Sequence, residues 1–556
     1  MKIWLRLIFL SMVISHSSLF SAEYFVSTTG NDSNLGTLAS PWLTLTKAVT
    51  STGAGNTATF LDGDYTTGTV TIAGGTGVNS KLTLRAKNTG SARFISNSSK
   101  LREIQIGSFT DFIGFKIQDY KYGIHIIGNA QEINVTDCNI SACVNGVFTE
   151  TSGSVPTKIH FLRVVSHDNT SANQSEGKGF FLDGITNSIL EDCEAFNNYS
   201  DYPGAGDGFG CYDTLTNVQY KGCYSHNNRH DGFDIWQAST FINCRSYDNG
   251  DQGFKAWGAG STFTNCIAYY NQTGFNTLTP GAATTTLINC NAISNGTVPH
   301  SWVAGGSLGY GVRTDGDAVG GTFKISLKNC ILYGNGRQEL WIRGTISDLA
   351  EENYNIFHHT STATTDVILV GSSSFATADI GAGKAWNTFS GKGGYSFAAN
   401  PMFISSTSNF GLQLGSPAID TGTPIGAPLY DIAGNIRPAG LGYEIGAYEY
   451  GSGGGPTVPP TVDVFSKVKG FPNPFNPAGS SDGFFKFANL YENTYYNLKI
   501  YTMNGELVRE IYDSGTNNIK WDGKNSSGNV VARGGYVYVI MDPAGNKKVS
   551  KVMLLK

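Results

Sequence analysis

Between Glu191 and Asn276 the chain repeats one phrase four times, and a repeat of this length restricts the fold to units that stack. The phrases are Asp192-Cys193…Asn198…Asp207-Gly208-Phe209-Gly210, Gly222-Cys223…Asn228…Asp231-Gly232-Phe233-Asp234, Asn243-Cys244…Asn249…Gln252-Gly253-Phe254-Lys255 and Asn265-Cys266…Asn271…Thr273-Gly274-Phe275-Asn276. Cys193, Cys223, Cys244, Cys266, Cys290 and Cys330 lie 30, 21, 22, 24 and 40 residues apart, and an asparagine follows each by five. Short β-branched and aromatic runs such as Cys266-Ile267-Ala268-Tyr269-Tyr270 read as strands between tight turns, with no helical segment and no four-stranded blade. The pattern predicts an all-β chain: a right-handed parallel β-helix with rungs about 4.8 Å apart, followed by a small C-terminal β-sandwich.

In such a coil matching positions become neighbours. The asparagines are expected to form an internal amide ladder at a turn. The cysteines are expected to stack as small apolar side chains rather than as disulfides, their count of nine leaving at least one unpaired within the chain. The Gly-Phe pairs at 179, 208, 232, 253 and 274 read as a turn glycine and an inward aromatic stack.

The ends suggest export. Lys2 and Arg6 precede an apolar stretch from Ile8 to Ile14 and small residues from Ser17 to Ala22, which predicts a signal peptide over 1–22. The β-helix is expected over 23–450, opening with a strand, a loop and a short amphipathic helix near Pro41–Val49 that caps the coil. A Gly/Pro-rich linker is expected over 451–461 and a sandwich domain over 462–556. The net charge of −5 and the lack of any basic run exclude a nucleic-acid footprint, and no later segment is apolar enough to span a membrane.

Only the flanks of the Gly-Phe pairs carry chemistry. Before the glycine stand Lys178, Asp207, Asp231, Gln252 and Thr273; after the phenylalanine stand Phe181, Gly210, Asp234, Lys255 and Asn276. Asp207 and Asp231, one rung apart, repel unless a cation lies between them, and their oxygens can converge on Ca²⁺. A turn at Gly232 has to bring Asp234 round to join them. Lys255, one rung beyond Asp234, is either an ion-pair partner or a base.

These residues resemble polysaccharide lyase family 9, pectate lyases in which Asp-Gly-Phe, Asp-Asp-Gly-Phe/Trp-Asp and Gly-Phe-Lys supply calcium-binding aspartates and a lysine base. The resemblance implies that Asp207, Asp231 and Asp234 hold calcium and that Lys255 is the base, with His230 standing where a further aspartate belongs. It implies calcium-assisted β-elimination of pectate by a secreted, monomeric enzyme. Arg229 and Arg245 would stabilise enolate-like charge, and Trp236 and Trp257 would line sugar subsites. Phe471-Pro472-Asn473-Pro474-Phe475, Trp521-Asp522-Gly523 and Gly535-Tyr536-Val537-Tyr538 resemble the sorting domain of the type IX secretion route, which implies the secretion machinery as a partner. Hydrolysis of polygalacturonate, cleavage or C5 epimerisation of alginate, and a non-catalytic carbohydrate-binding surface stay open as alternatives.

Overall fold

In the computed structural model, the described residues are 21–97, 100–172, 176–202, 204–212, 215–258, 260–278, 283–297, 309–314, 324–361, 365–451, 468–477, 483–488, 497–512, 519–541 and 547–555. The predicted signal peptide and linker therefore lie almost entirely outside the described residues. The chain divides into two compact units, 1–455 and 456–556.

The first unit is a right-handed parallel β-helix of three sheets, each with thirteen strands. The first sheet runs from Glu23–Val26 to Leu349–Asn353, the second from Val70–Ile72 to Ser373–Ala376, and the third from Gly63–Thr67 to Phe397–Ala398. Each turn passes from the first sheet to the third and then to the second, as in Leu215–Lys221, Tyr224–His226 and Phe233–Ile235.

The recurrent residues explain the corners. The residue before each repeat-position cysteine from Cys193 to Cys330 (Asp192, Gly222, Asn243, Asn265, Asn289 and Asn329) has φ between 52° and 61°. Asn, Asp and Gly tolerate that left-handed conformation better than other residues. All nine cysteines are free and buried. Inside the coil Phe180, Phe209, Phe233, Phe254 and Phe275 stack with ring centroids 4.7–4.9 Å apart. Tyr220, Phe241 and Phe263 form a second stack that meets the first edge-on.

At the next corner the asparagine ladder runs from Asn169 through Asn198, Asn228, Asn249, Asn271 and Asn295 to Asn335, amide to amide, with N–O distances of 2.8–3.3 Å. Buried Glu339 ends it by accepting from Asn335. Asn249→Ala should cost about 1–3 kcal/mol, because the buried Asn228 backbone N–H loses Asn249 Oδ1 as its acceptor; the denaturant midpoint checks this. The glycines before the phenylalanines are not left-handed. They are glycine for lack of space: a Cβ on Gly232 would lie 2.0 Å from Ser246 Oγ and 2.8 Å from Asn249 Nδ2.

The first end of the coil and one of its sides are covered. A helix at Leu45–Ser51, capped by the Thr44 side chain, buries Leu45 and Ala48 at the first rung. The coil itself stops at Phe397–Ala398 rather than near Tyr450. The later segment instead folds back along the third sheet, where Phe410, Ile432, Ile445, Ala447 and Tyr448 pack on Ile267, Ile293, Ile331 and Ile356. This covering shields a row of outward isoleucines that water would otherwise meet.

The second unit contains a three-stranded and a four-stranded antiparallel sheet over a core that includes Phe475, Phe485, Trp521, Tyr538 and Ile540.

Candidate active site

The second sheet assembles the site. Its parallel register sets Phe181, Gly210, Asp234, Lys255, Asn276, Arg313 and Trp341 in one outward column. Inward phenylalanines alternate with these positions, as the two-residue period of a strand requires. Asp207 and Asp231 lie at the preceding corner, each fully buried. The Asp231 backbone N–H donates to Asp207 Oδ1 at 3.1 Å, and that of Gln252 donates to Asp231 Oδ1 at 2.9 Å.

Asp234 does come round to join them. Lys255 Nζ bridges Asp231 Oδ2 at 2.9 Å and Asp234 Oδ2 at 3.3 Å. His230 Nδ1 lies 3.1 Å from Asp207 Oδ1 and 3.0 Å from Asp231 Oδ2, while its Nε2 lies 3.4 Å from Asp251. Lys178, from the rung before Asp207, is 0% exposed and places its ammonium on Asp207 Oδ2. It also donates to Tyr212 Oη at 2.9 Å, and the Tyr212 hydroxyl donates to Asp207 Oδ2 at 3.1 Å.

Charge and burial oppose each other throughout. Burial pushes the Asp207 carboxyl up, but Lys178 and His230 more than offset this and hold it well below the usual range. Asp234 is pushed up to about 6 by burial and by Asp231 and Asp207, against the pull of Lys255. Burial pulls the Lys255 ammonium down, yet Asp231, Asp234 and Asp251 prevail and hold it above the ordinary lysine value. Burial likewise disfavours a charged His230, and Asp231 and Asp207 reverse that.

Aromatic rings flank the cluster. Trp236 is 43% exposed, and its ring lies 5.1 Å from Tyr212 and 5.5 Å from Trp257. The Trp257 indole N–H donates to Asp234 Oδ1 at 2.7 Å, so one edge of that ring is committed to the cluster. Arg229 lies at the rim, donating to the Ser200 carbonyl and stacking over Tyr199.

Arg245 does not reach the site. It belongs to the third sheet, where the fold-back segment buries it between Tyr224 and Tyr448, so it cannot meet charge developing at Lys255. Residues missed from the sequence are Tyr212, Asp251 and the use made of Lys178. For Lys178 a signal existed: it shares the column of Asp207 and Asp231. Arg313 sits two rungs beyond Lys255, against the Tyr310 and Trp341 rings, while Asp315 and Asp317 lie outside the described residues.

The donor chemistry can be tested against calcium. That ion takes six to eight oxygens. All six carboxylate oxygens of Asp207, Asp231 and Asp234 already face an N–H or O–H donor from Lys178, Tyr212, Lys255, Trp257, His230 or the backbone of Asp231 and Gln252. The fourth corner is a ring nitrogen, which suits a hard cation poorly. Asp207, His230 and Asp231 lie close enough to share an ion, but as a set they do not fit a calcium cage.

Residues 24–256 match the family model described as "Pel9A-like, right handed beta helix region", and residues 199–332 match that of a "Right handed beta helix region". No curated protein sequence matches the chain. Among solved structures, pectate lyase Pel9A is 16% identical, covering 78% of this chain and 98% of its own, with a TM-score of 0.44. A rhamnogalacturonan lyase is 19% identical over 63% of this chain and 83% of its own, with a TM-score of 0.35. The A-module of the Azotobacter vinelandii mannuronan C-5 epimerase AlgE4 is 12% identical over 64% of this chain and 90% of its own, with a TM-score of 0.37. The chain is a right-handed parallel β-helix whose match to the Pel9A-like model ends at Ala256, one residue past Lys255.

Proposed function

We propose that this protein is a secreted polysaccharide lyase that cleaves a 4-linked uronate polymer, polygalacturonate foremost, by β-elimination with Lys255 as the base. The observation that carries the reading is the position of Lys255. It stands at the solvent edge of a buried carboxylate cluster, its side chain 13% exposed, in an outward column beside an exposed tryptophan. Neutral Lys255 Nζ takes the C5 proton of a bound uronate. The electron pair left behind forms the C4–C5 double bond, and the bond from C4 to the glycosidic oxygen breaks. The departing oxygen takes a proton, leaving one unsaturated uronide end and one new reducing end.

Asp231 and Asp234 orient the base and set its pH range. Because they raise the Lys255 pKa, the neutral fraction is small near pH 7 and grows about tenfold per pH unit. The kcat/KM on polygalacturonate is therefore expected to climb with a slope near one on a logarithmic scale through the alkaline range. A profile that is flat or falls above pH 8 would count against a lysine base.

Trp236 offers an exposed ring face to a pyranose. Trp236→Ala should raise KM by about 2- to 10-fold with little change in kcat, the scale of one aromatic stacking contact. Buried Asp207 and Asp231 are out of reach for the acid and base roles of a hydrolase, which favours elimination. The deciding experiment follows absorbance of the unsaturated product with polygalacturonate, pectin, rhamnogalacturonan and alginate as substrates. Release of reducing ends without that absorbance would mean hydrolysis, and no product from any substrate would refute the lyase reading.

The second unit is proposed to direct export through the type IX route. No helix among the described residues is long and apolar enough to cross a membrane. In a host that carries this route, a chain lacking 456–556 should accumulate in the periplasm instead of outside the cell, as fractionation and immunoblotting would reveal.

A further inference from the structure

Lys178 has no part in the elimination, yet the fold makes a dedicated path for it. Its stem crosses the face of Gly210 on the next rung, where a Cβ would lie 2.8 Å from Lys178 Cδ, 3.1 Å from Cε and 3.3 Å from Asp207 Oδ2. Any other residue in the outward column at 210 would block that path. The ammonium ends on Asp207 Oδ2 and Tyr212 Oη, with the Tyr212 ring centroid 4.7 Å away, and the whole side chain is sealed from water. His230 Nδ1 completes the arrangement between Asp207 and Asp231. A buried lysine needs paired, hydrogen-bonded surroundings, and here it has them.

We propose that Lys178, as a built-in counter-cation, and His230, as a built-in N–H donor, take the place of a bound dication, so that the aspartate cluster assembles without calcium. Asp207, Asp231 and Asp234 contribute three negative charges, which Lys178 and Lys255 meet with two positive ones, and His230 lies between two of these carboxylates with its other nitrogen on Asp251. A dication bound by the three aspartates would have to displace a donor from at least one oxygen of each and gain a nitrogen at the fourth corner. Gly210, Lys178 and His230 then form one device: the glycine opens the path, the lysine fills it, and the imidazole occupies the remaining corner. Lys178 is a positioning residue, acting on Asp207 rather than on substrate. The inference rests on the reading of Lys255 only in placing this cluster at the reacting centre.

The test is elemental analysis and calcium titration calorimetry on the full chain, stripped with chelator and then dialysed against about 1 mM calcium, the upper end of extracellular site affinities. The wild-type protein is expected to hold no stoichiometric calcium at the cluster, and its unfolding midpoint should not move between calcium and chelator. The double variant K178M/H230D, which removes the ammonium and adds a carboxylate, is expected to gain one calcium per chain and to unfold at higher temperature with calcium than with chelator. One calcium per wild-type chain that disappears in Asp231→Asn would overturn the proposal; one that persists in Asp231→Asn lies elsewhere and supports it. A folded double variant that gains no calcium would also overturn it, and if that variant folds in neither condition the wild-type metal content decides alone. These readouts do not depend on turnover. An inactive, calcium-free protein would refute the lyase reading and leave this inference standing, whereas an active protein with calcium at the cluster would do the reverse.

Discussion

Lys255→Ala is expected to lower kcat/KM on polygalacturonate by at least 10²- to 10⁴-fold, the range of one positioned general base, with the coil intact. The fold should survive because the rung depends on Phe254 and the backbone ladder, not on the ammonium. Asp234, already pushed up to about 6, can take a proton once its partner is gone, which limits the cost of the lost charge. Lys255→Arg separates two roles that alanine removes together. Arginine keeps the positive charge between Asp231 and Asp234 but cannot give up its proton in the accessible pH range. If Lys255 is the base, the arginine variant should be nearly as inactive as the alanine variant while recovering its thermal midpoint. An arginine variant retaining more than about a tenth of wild-type activity would assign Lys255 an electrostatic role instead.

Lys178→Met is expected to produce the largest loss of stability, about 3–5 kcal/mol, because it removes the ammonium paired with a fully buried Asp207 and leaves that carboxylate to His230, Tyr212 and the Asp231 N–H. The loss should depend on pH. In the wild-type protein the Asp207 carboxyl is held low, so its pairing contributes stability above the unfolded carboxylate pKa and loses it as pH falls through the folded value. Without the ammonium, His230 is left as the main charge opposing burial, and the folded carboxyl moves up from its low value. The stability that its ionised form contributes above the unfolded carboxylate pKa shrinks accordingly. The gap between wild type and variant should therefore widen as pH rises from strongly acid values through the carboxylate range. Urea denaturation of both proteins at several pH values measures this, and a gap independent of pH would mean that packing of the lysine stem, not its charge, is what matters.

Much of the coil is legible because stacking forces identical solutions onto successive rungs. Asp192, Gly222, Asn243 and Asn265 recur since one corner needs a left-handed residue, and Asn228, Asn249 and Asn271 recur since each amide has to bond the next. The Gly-Phe pairs were equally visible, but the reason for the glycine was not: the space beside Ser246 and Asn249 exists only once the next rung is in place. The segment from Phe403 to Tyr448 has no such period, and its course back over the third sheet depends on distant isoleucines such as Ile267 and Ile331. That course also removes Arg245 from the site, by way of Tyr448, a residue 203 positions further along the chain.

By itself the sequence determined the parallel coil, the inward cysteines, phenylalanines and asparagines, and the convergence of Asp207, Asp231, Asp234 and Lys255, because period converts directly into proximity along the axis. Tertiary structure alone decided which charges meet. Lys178 reaches Asp207 across a neighbouring rung through the gap at Gly210, and His230 turns inward between two carboxylates. Side-chain direction, depth and exclusion of water set those pairings, and none of the three is a function of spacing along the chain.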